Sequence, residues 1–215
     1  MRARSGIRWL LPASLLIPSL AWASLRWDWT AKERACAQKI GVVLGGAPQD
    51  KFYVRQMTWL SDAAVRGTVT GLRHDESTGF PTTVVLDLKG VLKGEGLPRS
   101  IEIMLNRGPV HSDVYGGMVE IVGPDPAFEV GEEVLVFLIG ERYSSALLGS
   151  EGVALNPHQF GLLDKWTLAG DGSAANGYAC ASSTDDKSCG PERVDRLDHM
   201  EREIALARSA QEDCR

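Results

Sequence analysis

Hydrophobic and polar residues alternate through the middle of the chain with the period of two that is typical of β-strands. The clearest example is the segment 100–105, in which Ile101 and Ile103 lie on one side and Glu102 on the other. Residues 133–139 are apolar at almost every position, which predicts a strand buried on both faces. Further strands are predicted at residues 63–72, 82–92, 117–122, 144–148 and 159–168.

Two helices are predicted, one near each end of the chain. Thr30 and Glu33 have the spacing of a capping box at a helix start, and Gly41 suits the end of that helix. Near the other end, Pro191 suits the first turn of a helix. An apolar stripe follows at spacings of three and four, which predicts that this helix docks on the strands: Val194, Leu197, Met200, Ile204 and Ala207. The pattern over residues 52–59 leaves a strand and a short helix open.

Many short strands with Gly-rich turns, followed by a helix, predict a mainly β fold, either a small closed barrel or a sandwich. Five or six strands fit an OB-like barrel with a short N-terminal helix and a C-terminal helix packed on it. After residue 169 the composition shifts to Gly, Ala, Ser and Asp, which predicts a surface loop. The predicted segments are a signal peptide (1–23), an N-terminal extension (24–56), the barrel domain (57–168), a disulfide-pinned loop (169–190) and the C-terminal helix (191–211).

The first 23 residues have the composition of a secretory signal peptide. Arg2, Arg4 and Arg8 precede an apolar run over residues 9–20, and Ala21-Trp22-Ala23 follows as a small-residue cleavage site. The run is shorter than the about 20 apolar residues that a bilayer requires, so a cleaved peptide is favoured over a retained anchor. We expect cleavage after Ala23, a mature chain that starts at Ser24, and an exported protein that is periplasmic or secreted.

The charge of the chain argues against polyanionic partners. Removal of the three arginines of the signal peptide takes the formal net charge from −5 to −8. An acidic protein of this size is a poor match for nucleic-acid backbones or anionic membranes. No later apolar stretch is long enough to span a membrane. The chain left after cleavage is long enough for one domain with a substantial core.

Four cysteines lie beyond the signal peptide, and an even number in an exported chain predicts two disulfides with three possible connectivities. Cys180 and Cys189 bracket a polar loop, so we expect them to pair. Cys36 and Cys214 lie near the two ends of the mature chain, where a bond between them would staple the termini. A zinc site is the alternative, but the close C-x(2–4)-C spacing and the neighbouring histidines typical of zinc ligands are absent.

Three segments resemble motifs of uncharacterised exported bacterial proteins: residues 61–69 (SDAAVRGTV), 84–94 (VVLDLKGVLKG) and 128–138 (FEVGEEVLVFL). Their order and spacing are similar to the OB-like barrel of the netrin and tissue-inhibitor-of-metalloproteinases type. The resemblance covers about residues 57–168 and implies a fold and an exported location. Animal inhibitors of this type chelate the protease zinc with an N-terminal cysteine. Ser24 takes that position here, so protease inhibition is only a weaker alternative.

Histidines supply the most plausible candidates for chemistry. His111 and Asp113 lie in one predicted loop and His158 in another. If these loops meet, the three side chains would form a His/carboxylate metal site, and the protein would be a metal-assisted hydrolase. Two solvated polar loops are the simpler interpretation. His74 and His199 are expected to be solvated side chains.

Other polar and aromatic groups are interpreted as structural. The carboxylate pairs are instead interpreted as solvated charge, because Glu132 and Glu133 would point to opposite faces if both are extended and Asp185-Asp186 lies in the predicted loop. Trp27 and Trp29 either stack on a sugar or, as we prefer, cover the barrel surface, whereas Trp59 and Trp166 are expected in or near the core. No nucleophile elbow, zinc-protease motif or nucleotide fingerprint occurs. The sequence therefore favours a non-enzymatic module without a cofactor that binds a protein or cell-envelope partner.

Overall fold

The computed structural model describes residues 29–44, 49–75, 80–112, 117–121, 125–140, 157–176 and 193–214. These residues form a mainly β fold with helices near both ends of the chain. The helices are α1 (Ala31–Lys39), a short 3-10 helix (Asp50–Phe52), α2 (Tyr53–Leu60) and α3 (Leu197–Glu212). The strands are β1 (Ala63–Asp75), β2 (Phe80–Lys93), β3 (Ser100–Leu105), β4 (Gly108–Ser112), β5 (Gly117–Ile121), β6 (Glu133–Ile139), β7 (Gln159–Leu168), β8 (Ser173–Asn176) and β9 (Arg193–Arg196).

Seven strands form one sheet in the order β3-β2-β1-β6-β7-β8-β9, and β4 and β5 form a separate hairpin. The sheet is antiparallel except that β3 also pairs with β7 in parallel, with Glu102 opposite Gln159 and Met104 opposite Gly161. Because of this extra pairing, the five strands β3, β2, β1, β6 and β7 form a partial ring. The described helices include none long and apolar enough to cross a membrane.

Two apolar clusters build the core, and β6 contributes to both. Val134, Val136 and Leu138 join side chains from all the other ring strands. Leu135 and Phe137 join the second cluster, together with the apolar faces of α2 and α3: Tyr53, Val54, Met57, Leu60, Met200 and Ile204. Successive strand residues point to opposite faces, so a strand between two apolar layers needs apolar residues throughout. The prediction of a doubly buried strand at 133–139 is confirmed.

The ambiguous segment at 52–59 is the helix α2, which is buried along almost its whole length. Its end is held by Lys93 of β2, whose Nζ donates hydrogen bonds to the carbonyl oxygens of Thr58 at 2.5 Å and Ser61 at 2.6 Å. A cation at this place satisfies carbonyls that the helix itself leaves unpaired. The helix therefore covers one face of the sheet over β6 and β7 and is held in this position.

Both predicted features of the termini that fall on described residues are confirmed. Thr30 and Glu33 form the capping box of α1, and Gly41 follows its end with a positive φ of 80°. The Cys36–Cys214 disulfide joins α1 to the residues just after α3. A disulfide is compatible with an exported protein. The predicted signal peptide, the predicted Cys180–Cys189 pair and the strand predicted at 144–148 lie outside the described residues.

Three predictions of local structure are wrong. The loop predicted at 169–190 contains the strand β8, which pairs with β7 and β9. The C-terminal helix begins at Leu197 and not near Pro191, because the preceding residues form β9. Val194 is therefore exposed, whereas Met200, Ile204 and Ala207 are buried as the stripe predicts. His111 lies in the strand β4 and not in an irregular loop.

Gly67 lies at a register shift where β1 and β2 approach closely. A Cβ at this position would lie 2.6 Å from the backbone oxygen of Asp87 and 2.8 Å from Cγ of Leu86. We expect Gly67→Ala to lower the free energy of unfolding by about 1–3 kcal/mol, because overpacking forces the strands apart. Gly90→Ala is the control, since no atom lies within 4 Å of its Cβ position. Thermal unfolding followed by circular dichroism measures both, and an equal loss in the control would contradict this account.

Candidate functional site

The structure places the sequence-predicted metal ligands only in part. His158 directly precedes β7, and its Nε2 lies 4.0 Å from Oε2 of Glu102. His111 lies opposite Met118 in the β4–β5 hairpin, but its side chain and Asp113 are outside what the structure describes. Within the described residues there is no group of three His, Cys, Asp or Glu side chains that would hold a metal ion. The His111–Asp113–His158 site therefore stays a prediction.

The other two histidines contact polar neighbours near the surface. Nδ1 of His74 lies 3.0 Å from Oγ1 of Thr82. Nδ1 of His199 lies 2.9 Å from both carboxylate oxygens of Asp195. His74 forms a local polar pair, whereas Nε2 of His199 also lies 3.9 Å from Oε1 of Glu203, whose carboxylate pairs with Arg55.

Three side chains surround the carboxylate of Glu102, and we call these four residues the Glu102 cluster: Arg73, Glu102, His158 and Gln159. Nε2 of Gln159 donates a hydrogen bond of 2.9 Å to Oε2 of Glu102. Nη2 of Arg73 donates to the other carboxylate oxygen, Oε1. The backbone supports this arrangement, because the amide of Glu102 donates to the carbonyl oxygen of His158 at 2.9 Å. Each of the two carboxylate oxygens of Glu102 therefore accepts one side-chain hydrogen bond.

The Glu102 cluster combines residues near the end of β1 and at the start of β7 with Glu102 of β3. Arg73 lies near the end of β1, just before residues 76–79, and His158 lies at the end of the segment 141–156 that precedes β7. The β2–β3 ladder and the parallel β3–β7 pair bring both positions beside β3. The side chains of Arg73 and His158 are 56% and 48% exposed, so both can reach a ligand in solution.

Glu102 remains negatively charged at this place. Partial burial opposes its ionisation, but the hydrogen bonds from Gln159 and Arg73 and the charge of Arg73 outweigh burial and lower its pKa. A fixed carboxylate then holds the guanidinium and the amide in place. The cluster presents hydrogen-bond donors in a defined arrangement, which suits recognition of a polar partner.

A second group of polar side chains is buried under the helices around Asp164 of β7. Asp164 is fully buried and accepts hydrogen bonds from Nε1 of Trp166 at 2.9 Å and Nδ2 of Asn176 at 2.8 Å. The hydroxyl of Tyr53 on α2 also hydrogen-bonds to it. Burial raises the pKa of Asp164 to about 6, although these hydrogen bonds partly oppose the shift. The carboxylate therefore links β7, β8 and α2 within the core.

Arg193 connects the Asp164 group to the surface of the protein. The guanidinium carbon of Arg193 lies 4.0 Å from the centroid of the Tyr53 ring. Its Nη2 donates a hydrogen bond of 2.8 Å to Oδ1 of Asp50. Burial and the neighbouring Asp164 raise the pKa of Tyr53 above its ordinary value, so the phenol stays neutral. This arrangement holds β9 against the start of α2.

Lys165, the next residue of β7, is buried on the other side of the strand. Its Nζ lies 2.7 Å from Oε1 of Glu132 and donates to the carbonyl oxygen of Ala127 at 2.6 Å. It also lies 4.4 Å from the centroid of the Phe128 ring. Burial lowers the pKa of Lys165, and the pairing with Glu132 opposes this shift. Lys165 therefore fastens the segment 125–132 to the sheet.

Glu132 and Glu133 diverge, as their neighbouring positions predict. Glu132 bonds to Lys165 and accepts a hydrogen bond of 2.5 Å from Oγ1 of Thr167. Glu133 instead pairs with Lys89 of β2. Asp185 and Asp186 lie outside the described residues, so the structure is silent on that pair.

The tryptophans that the structure describes are structural. Trp59 and Trp166 are buried in the core, and Trp29 packs, partly buried, against the apolar clusters beneath α1. This placement agrees with a covering role for Trp29. Trp27 lies outside the described residues.

Ionisation of Asp164 makes the fold less stable as the pH rises. The pKa of Asp164 is higher in the folded state than the ordinary value of 3.8 for an aspartate, so the folded protein binds this proton more tightly. Its stabilising effect is complete below about pH 4 and is lost as the pH rises through about 6. A shift of about two units corresponds to about 3 kcal/mol.

The measurement is the free energy of unfolding in urea between pH 4 and pH 7, compared with that of Asp164→Asn. The wild type should lose about 3 kcal/mol relative to the variant over this range. The comparison removes the opposite contribution of Glu102, whose lowered pKa makes its stabilisation decline as the pH falls. A difference between the two proteins that does not change with pH would contradict the assignment.

Comparisons with known proteins do not place the chain in a family. No family model matches it, and no curated protein matches its sequence. The functional argument therefore depends on the residues of this chain.

Proposed function

We propose that the protein is an exported, non-enzymatic β-barrel module that binds a protein or cell-envelope partner through the Glu102 cluster and the neighbouring surface of β2 and β3. The observation that carries this proposal is the convergence of Arg73, His158 and Gln159 on one carboxylate. Arg73 lies near the end of β1, Gln159 begins β7 and His158 directly precedes it, and the side chains of Arg73 and His158 are about half exposed. Such a convergence of polar groups is typical of a recognition surface.

The strand order supports an OB-like barrel for this module. The ring strands pair in the order β1-β2-β3-β7-β6, with a parallel contact between β3 and β7. The OB-fold is a five-stranded, partly open barrel that binds its ligands on the face of its second and third strands and on the adjoining loops. The Glu102 cluster lies at the corresponding position. Glu102 is on β3, Arg73 lies shortly before residues 76–79, and His158 lies shortly after residues 141–156. This part of the argument is an analogy of fold.

The polar groups buried in the core support binding and not catalysis. Asp164 and Lys165 each bond to side chains or carbonyls of neighbouring elements. Their contacts hold α2, β8 and the segment 125–132 on β7. We therefore assign these groups to the scaffold, which holds the Glu102 cluster in a fixed position.

Site-specific photo-crosslinking tests the proposal. A photoreactive amino acid replaces Ser100, an exposed residue of β3 two positions before Glu102, in the mature protein, which is then irradiated in cell-envelope extract. We expect a defined crosslinked product that excess unmodified protein suppresses.

Arg202 provides the control position, because it is also exposed and lies on α3, outside the ring strands. The photoreactive residue at Arg202 should give only background. The proposal fails if position 100 gives no product above that background, or if both positions give the same product.

A further inference from the structure

The described residues before the 3-10 helix form an arm, residues 29–44, that is only partly packed on the rest of the protein. Of the nine residues in α1, only Ala37 is buried, and Val42 is buried just beyond the helix. Trp29, Ile40 and Leu44 are partly buried against the core. A side-chain hydrogen bond of 3.0 Å, from Nη1 of Arg55 to the carbonyl oxygen of Ile40, also joins the arm to α2.

The arm covers Trp59, the largest buried side chain in its contact region. Trp59 is 1% exposed and packs with Ala37 and Val42 of the arm and with Cys214. Its indole Nε1 has no hydrogen-bond partner among the residues that the structure describes. A buried donor without an acceptor is unfavourable, and water would satisfy it if the arm moved away. The unsatisfied indole N–H therefore makes the covered state less favourable, and movement of the arm away from Trp59 would remove this cost.

The Cys36–Cys214 disulfide is the covalent link that holds the arm in this place. Cys36 is partly exposed on α1, whereas Cys214 is only 6% exposed. An incoming thiolate therefore reaches the sulfur of Cys36 more readily than that of Cys214.

We propose that this disulfide is a latch that a protein dithiol of the thiol–disulfide oxidoreductase class opens. One thiolate of the dithiol attacks Sγ of Cys36, the Cys36–Cys214 bond breaks, and Cys214 leaves as a thiolate that takes up a proton. The second thiol of the dithiol then displaces Cys36 as a thiol. Two electrons and two protons pass to the two cysteines, and the dithiol becomes a disulfide.

Opening the latch releases the arm and uncovers Trp59, while the sheet stays folded. The contacts of Trp59 with the arm are apolar, and its unpaired N–H gains an acceptor on release. The ring strands and their two apolar clusters involve no atom of the disulfide. The exposed surface would be an indole with a free hydrogen-bond donor beside the end of α3.

Hydrogen exchange followed by mass spectrometry tests the latch. The samples are the oxidised mature protein, the same protein with dithiothreitol, and the variant Cys36→Ser/Cys214→Ser. We expect the amides of α1 to exchange at least tenfold faster in the second and third samples, while β1 and β6 stay protected for far longer than α1. Acrylamide should also quench more tryptophan emission in these samples, and Trp59→Phe should reduce that increase, the remainder coming from Trp29 on the arm.

Cys180→Ser/Cys189→Ser is the matched control, because it removes the other predicted disulfide and keeps the latch. Its α1 amides should exchange as in the oxidised protein. The proposal is overturned if α1 stays equally protected without the Cys36–Cys214 bond. It is also overturned if α1 exchanges at the same rate as β1 and β6 without the bond, since these elements would then open as one unit and the arm would not be separable.

Discussion

Asp164→Ala should lower the free energy of unfolding by about 3–5 kcal/mol at neutral pH, because breaking a buried, charged hydrogen-bond network leaves its partners unpaired. The alanine would leave Nε1 of Trp166 and Nδ2 of Asn176 without the acceptor that they share. The hydroxyl of Tyr53 would lose its contact as well. All three donors lie in the layer between the helices and the sheet, where little water is available to replace the carboxylate.

Urea unfolding followed by circular dichroism measures this loss. Asp213→Ala is the control, because Asp213 is exposed beyond α3 and should change stability by no more than about 0.5 kcal/mol. If Asp164→Ala were as stable as the control, the buried network would not hold β7, β8 and α2 together, and the assignment of Asp164 to the scaffold would be wrong.

Removing the disulfide between the two ends of the chain should have the largest effect on stability. The bond joins residues 178 positions apart. Loss of chain entropy in the unfolded state then gives a stabilisation of about 5 kcal/mol, which Cys36→Ser/Cys214→Ser should forfeit. The predicted Cys180–Cys189 bond closes a far shorter loop, so the corresponding double variant should lose only about 2.5–3 kcal/mol.

Urea midpoints of the two double variants, measured beside the oxidised wild type, separate these effects. A larger loss for Cys36→Ser/Cys214→Ser supports a staple that acts through loop length. Equal losses, or a larger loss for Cys180→Ser/Cys189→Ser, would contradict the entropic argument.

Local patterns in the sequence predict the elements whose signals are contained within a few residues. The alternation at Ser100–Leu105 and the apolar run at Glu133–Ile139 predict β3 and β6 with the correct bounds. The capping box at Thr30 predicts α1 in the same way. In each case the pattern is fixed by the burial of that element's own side chains.

Elements that depend on distant partners are predicted poorly. The strand β8 has the sequence Ser-Ala-Ala-Asn, which has low strand propensity and forms only because β7 and β9 lie on either side. The same pairing converts the residues before Leu197 into β9, and so shortens the predicted helix. The apolar residues of α2 fit a strand or a helix until the sheet that they cover is known.

The candidate site also combines residues that the local sequence identifies with residues that only the fold brings together. His158 is identifiable as a polar group of interest, but its partner Glu102 comes from another strand and Arg73 from a third. No sequence spacing connects these residues, because only the closed strand pairing brings them together. The sequence does mark Asp164 and Lys165, because these two adjacent charges interrupt an otherwise apolar strand. Such charges are seldom buried without partners, so they were detectable as members of a polar network.

The affinity of the partner recovered by crosslinking tests the central claim most directly. Binding of that partner is measured by titration calorimetry with the wild type, Arg73→Ala and Arg202→Ala. If the Glu102 cluster is the binding surface, Arg73→Ala should weaken binding at least about tenfold, as expected for an arginine in the centre of an interface. Arg202→Ala should stay within about twofold of the wild type, as expected for an exposed residue outside the interface. Equal affinities for all three proteins would show that the partner binds elsewhere and would contradict the account.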